Sequence, residues 1–168
     1  QLPSTEPGTL LRYRVESSAV QRSIPVHSLH WQSDSQIPVP SNTAASVYVP
    51  TLEHYLTWHG VTSPPWNVIR ASTGCVNAAG FLGAAAETLL LEGVRVEPEI
   101  LLPDDGPTQQ STWMILYLFK EKTIKDSAGT IRGWNETYRS LPTNNPGFDR
   151  LVDAGGYPLY RTADFAAL

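Results

Sequence analysis

Fourteen prolines and twelve glycines divide this 168-residue chain into short segments. Proline fixes φ and removes a backbone donor, so neither a long helix nor a long central strand can run through it. What survives between the breaks is mostly extended. In "LLRYRVESS", Leu11, Tyr13 and Val15 alternate with Arg12, Arg14 and Glu16, the period of a half-buried strand. "SIPVHSLHW" continues it, with Pro25 making this an edge or bulged strand, and "ASVYVP" is a short strand closed by Pro50. "VRVEPEILLP" reads as extended. The unbroken apolar run Trp113 to Phe119 predicts a central strand buried on both faces. Asp126 to Gly129 then supplies a turn into a returning strand.

One stretch reads as a helix. In "STGCVNAAGFLGAAAETLLLEG", Thr73 or Asn77 can cap the start, and Ala78, Leu82, Ala85 and Leu89 share a face. Gly93 stands where a left-handed cap would end it, and Gly80 and Gly83 admit a close neighbour. "TLEHYLTWHG" sits between helical turn and strand with helix slightly ahead, and Trp66 to Ala71 reads as a strand. The expected organisation is a polar linker or arm at 1–9 and a single β-rich domain at 10–168. Its expected fold class is mainly β, an antiparallel sandwich or barrel-like sheet with one packed α-helix, with α+β as second choice.

Charge and hydropathy remove several functions. A formal charge of −4, with the three lysines confined to Lys120, Lys122 and Lys125, argues against a nucleic-acid partner. Without a run of 18 apolar residues no membrane span is expected. A single cysteine precludes an internal disulfide. The sequence opens on Gln1 without a signal-peptide pattern, the expectation for a processed protein or a piece of a longer polyprotein. No P-loop, dinucleotide fingerprint, G-x-S-x-G or zinc-ligand spacing occurs, so no cofactor is expected.

Reactive candidates are few. Cys75, at the expected helix start, would have its thiolate favoured there, with His54 or His59 as base for a small hydrolase. Every histidine precedes the cysteine, however, and the flanking residues are those of a core element, so Cys75 reads as structural. A metal would have to draw on His27, His30, His54 and His59. Neither pair, three and five residues apart, converges on a regular element. Glu97 and Glu99 share a strand face and would serve as an acid pair in glycosidic chemistry, though Pro98 between them suggests a solvated edge. Aromatic rings in polar, loop-like stretches are the remaining signal. Trp58, Trp66 and Trp134, with Tyr138, form the expected ligand-binding set, since such rings stack on sugars or anchor protein interfaces. Asn135-Glu136-Thr137 is a glycosylation sequon.

A proline-, serine- and threonine-rich β domain of this length behind a polar linker resembles the protruding surface domains of small non-enveloped virus capsid proteins. The resemblance lies in overall character, and no motif carries residues across. It implies a non-enzymatic recognition or assembly domain on a virion surface or outside the cell, binding its own copies and a host receptor or glycan. The competing readings are the small hydrolase and a secreted carbohydrate-binding or effector protein.

Overall fold

The strand Trp113–Phe119 anticipated from sequence is the middle of a six-stranded sheet. The computed structural model describes residues 10–25, 44–101, 110–126, 128–139 and 147–168; the linker at 1–9, His27, His30 and Trp31 lie outside them. The elements are β1 (Leu10–Pro25), β2 (Ala44–Val61), α1 (Trp66–Ser72), β3 (Val76–Asn77), β4 (Leu89–Leu101), β5 (Gln110–Glu121), β6 (Glu136–Arg139), β7 (Gly147–Arg150) and β8 (Thr162–Ala163), then a 3-10 turn at Phe165–Ala167. Sheet order is β1-β2-β5-β4-β3-β8, antiparallel except for the parallel pair β3–β8, with β6–β7 as a separate two-stranded sheet. Among the described residues the molecule is thus mainly β with one α-helix. Its large sheet is open and mixed, not barrel-like.

Alternation assigns the faces. Ile115, Tyr117 and Phe119 of β5 lie opposite Trp58, Leu56 and His54 of β2 and Val96, Val94 and Leu91 of β4. This face is the core: Leu56, Leu89, Leu91, Ile115, Tyr117 and Phe119 are all but inaccessible. Phe81 and Phe165 close over Phe119 at ring distances of 5.7 and 5.3 Å, and Ile69 of α1, Cys75 and Leu168 complete the cluster. On the other face Met114, Leu116 and Leu118 are only half-buried. The expectation of a strand buried on both faces therefore fails for one face, which no helix covers among the described residues.

The helix is not where the alanine spacing placed it. Residues 73–88 hold turns, the two-residue β3 and the bridge Phe81–Ala84, and Leu89 already belongs to β4. The fully buried Asn77 explains this. Its Nδ2 donates to the Ala79 and Ala85 carbonyls, both at 2.7 Å, and its Oδ1 accepts from the Leu89 N–H at 2.8 Å. An amide that satisfies three backbone groups of a loop removes the partners a helix would need. Leu82 and Glu87 adopt positive φ, which no helix permits. The helix instead follows Pro64-Pro65, where the expected strand Trp66–Ala71 lies; proline is tolerated at a helix entry because that N–H has no partner there. "TLEHYLTWHG" is strand, the inner half of β2.

The turn at 126–129 forms as expected, with Asp126 Oδ1 accepting from Ala128 and Thr130. The chain returns only as the bridge Lys125–Ile131, and β6 pairs with β7 rather than folding back on β5. At the other end of the molecule β5 pairs with β2 only between Leu52 and Val61. Among the described residues, 18–25 and 44–51 therefore have only each other as strand partners and continue past β5 as a two-stranded ribbon, about 25 Å long at strand rise. Val20 and Tyr48 on it are exposed.

Candidate functional site

Of the three tryptophans expected to lead a contact surface, only Trp66 is presented to solvent, at 44% exposure. Helix α1 begins with it directly after Pro64-Pro65, and it meets Trp113 edge-on, centroids 6.5 Å apart at 79°. Pro64, Pro65, Trp66, Asn67, Val68 and Arg70 line a shallow, open cleft. Pro98 pairs with Trp113, and Ile100, two residues along β4 on the same side, is 59% exposed. The end of the packed face thus carries an indole held at its edge by a second ring, with an amide and a guanidinium beside it. Such a group offers an apolar plane and polar donors together. Trp113 reads from sequence as core; the proline pair before Trp66 is the signal that this ring stands at a corner.

The other two rings are occupied inward. Trp58 is buried among the core residues, its indole N–H without a partner among the described residues. Trp134 is half-buried: Nε1 donates to the Thr88 carbonyl at 2.9 Å and the Lys120 carbonyl at 3.3 Å, and the ring meets Tyr160 edge-on. Tyr138 pairs with Phe148 in the small sheet, and its side chain lies outside the described set. The sequon asparagine is fully buried.

Cys75 lies beyond the C-terminal end of α1, not at a helix start. It is 2% exposed, and its thiol donates to the Ala71 carbonyl at 3.2 Å. It sits in the core cluster with Ile69 and Phe81. His54 and His59 point to opposite faces of β2 and form no common site. His59 Nδ1 contacts Glu99 Oε1 at 2.8 Å, and the same carboxylate accepts from Gly60 N–H. Glu97 shares that face, as anticipated, but is taken by Arg95 at 2.6 Å. Among the described residues no group of three His, Cys, Asp or Glu side chains is placed to hold a metal.

Sequence reasoning missed a hydrogen-bonded chain across three strands. Tyr13 O–H contacts His54 Nδ1 at 2.6 Å, and His54 Nε2 contacts Glu121 Oε2 at 2.9 Å. With Nε2–H donating to the carboxylate, Nδ1 is left to accept from the phenol. The order hydroxyl, imidazole, carboxylate is that of a hydrolytic triad. Here burial, and then the charge of Glu121, raises the pKa of the Tyr13 phenol. The chain ties β1 to β2 and β5. No local signal announces it, since its members are 41 and 67 residues apart.

No protein-family model matches the chain, and no curated protein or solved structure matches it. Among the described residues, no helix is long and apolar enough to cross a membrane.

Proposed function

We propose that this chain is a non-enzymatic recognition and assembly domain that binds a saccharide at Trp66 and associates with its own copies. The exposed indole of Trp66, braced by Trp113 beside Asn67 and Arg70, is the observation that carries the reading. Leaving such a ring in water forfeits roughly 1.5–3 kcal/mol of burial, a cost offset when a sugar face covers it in use. The resemblance to capsid protruding domains supports the same reading and, with it, a place on a virion surface or outside the cell.

The test is binding of wild type and Trp66→Ala to an array of neutral and sialylated oligosaccharides, with thermal melting as a control for folding. Saccharide binding by the wild type that Trp66→Ala loses, at an unchanged melting temperature, supports the proposal. Equal binding by both proteins moves the site elsewhere. No saccharide binding, with retained and Trp66-dependent binding to cells stripped of glycans, replaces the saccharide with a protein receptor.

A further inference from the structure

The long edge of the sheet is β1. It pairs with β2 along its whole length, and on its other side no strand joins it among the described residues. An open strand edge is a row of unpaired donors and acceptors, and proteins usually blunt it with a proline, a bulge or brevity. β1 runs for 16 residues, pairs with β2 without a register shift, and meets proline only at its last position. It also carries four exposed large apolar residues: Leu10 at 52%, Tyr13 at 39%, Val15 at 45% and Val20 at 42%.

We infer that β1 is a dimerisation edge, pairing antiparallel with β1 of a second copy about a two-fold axis through Val15. The inference rests on the assembly half of the function proposed above and supplies its surface. Directly opposite residues in an antiparallel pair share a face, and a two-fold axis normal to the sheet makes the pairing reciprocal. Centred on Val15, the register sets Arg14 against Glu16 of the other copy, twice. It sets Leu10 against Val20, Leu11 against Ala19, and Val15 against itself. Sliding the centre to Arg14 or to Glu16 brings like charges face to face, and sliding it to Tyr13 opposes Arg12 with Arg14. Of these registers only the one centred on Val15 pairs opposite charges without opposing like ones; the one centred on Arg14 also sets Arg12 against Glu16 but opposes Arg14 with itself. Arg14 and Glu16 are exposed enough to reach across: their contact within the strand is 3.3 Å long between side chains 65% and 50% exposed, and Arg14 also lies over the Tyr55 ring, 4.5 Å from its centroid. The pairing also gives the ribbon a third strand over residues 18–20, where β1 has β2 as its one neighbour among the described residues.

Sedimentation velocity on the wild type, on Arg14→Glu, on Glu16→Arg and on an equimolar mixture of the two variants tests this. Each variant alone opposes two pairs of like charges, which weakens the dimer by roughly ten- to a hundredfold. In the mixture the introduced carboxylate of one chain meets the introduced guanidinium of the other, and the retained Glu16 meets the retained Arg14. A heterodimer should therefore form with about wild-type affinity, although neither chain has regained its own Arg14–Glu16 contact. Val15→Cys should in addition form a disulfide-linked dimer on mild oxidation, Cys75 being buried. A monomeric wild type at high concentration overturns the inference and leaves saccharide binding at Trp66 untouched. A wild-type dimer that persists in both variants overturns this edge while leaving assembly in place. Monomeric variants that stay monomeric when mixed overturn the register.

Discussion

Asn135 holds Tyr160 by both ends of its amide: Oδ1 accepts from the Tyr160 N–H at 2.8 Å, and Nδ2 donates to the Tyr160 carbonyl at 2.9 Å. The 0% exposed side chain thereby ties the segment after β5 to the C-terminal segment, and Leu151 N–H donates to the Asn135 carbonyl. The sequon is closed off in the folded state. Asn135→Ala leaves the Tyr160 groups unpaired and should cost about 2–4 kcal/mol in chemical denaturation. A glycan at Asn135 is incompatible with these bonds. Protein made through a secretory route should therefore fold only when unmodified there, a result read by intact mass on the native and aggregated fractions.

Cys75 should be inert. Its burial predicts that a thiol reagent labels native protein only as fast as the domain opens, and stoichiometrically once denatured. Cys75→Ala should cost about 1–2 kcal/mol through lost packing. Rapid labelling of the native state contradicts the burial.

The two faces of β5 should respond oppositely to charge. Ile115→Lys places an unpaired ammonium against Trp58 and the core, enough to unfold a domain of ordinary stability. Leu116→Lys emerges on the half-covered face, close to Thr57 and Arg95, and should cost no more than about 1 kcal/mol. Comparable losses at both positions would mean that the second face is covered after all.

Tyr117 fixes a high-pH limit. Burial pushes its phenol up to about 12, from a usual value of 10. The unfolded chain therefore releases this proton first as pH rises. The stability from Tyr117 is complete below pH 10 and is lost as pH climbs from 10 towards 12. Tyr117→Phe should flatten that part of the stability curve, read by urea unfolding at a series of pH values, while the wild type keeps its slope.

Sequence period is a sound guide where one side chain after another meets the same environment. The apolar run of β5 reflects one covered face repeated along a strand; β1 is a strand as its alternation predicts, although Tyr13 and Val15 on its apolar side stay exposed. Period fails where a single buried polar group decides the path. Ala78, Leu82, Ala85 and Leu89 keep helical spacing, yet Asn77 takes the carbonyls of Ala79 and Ala85, and that competition is invisible to periodicity. The actual helix is hidden because Val68 and Ile69 are β-branched residues that favour strands. Trp58 and Trp66 show the same limit in the site. Both sit in polar surroundings in sequence, but Trp58 falls on the inward side of β2 and Trp66 at the first position of α1.

The parallel pairing of β8 with β3 has a consequence for synthesis. Val76 meets Thr162 and Asn77 meets Ala163, and Phe165 then enters the core between Phe81 and Phe119. A ribosome delivers β1, β2, β4 and β5 before β8 and Phe165. Until those residues clear the exit tunnel, the nascent sheet holds the rings of Phe81 and Phe119 without their cover and lacks its sixth strand. Closure of the core is thus a late event joining residues more than eighty positions apart, and the partly made domain passes through an interval in which its stickiest surface is exposed.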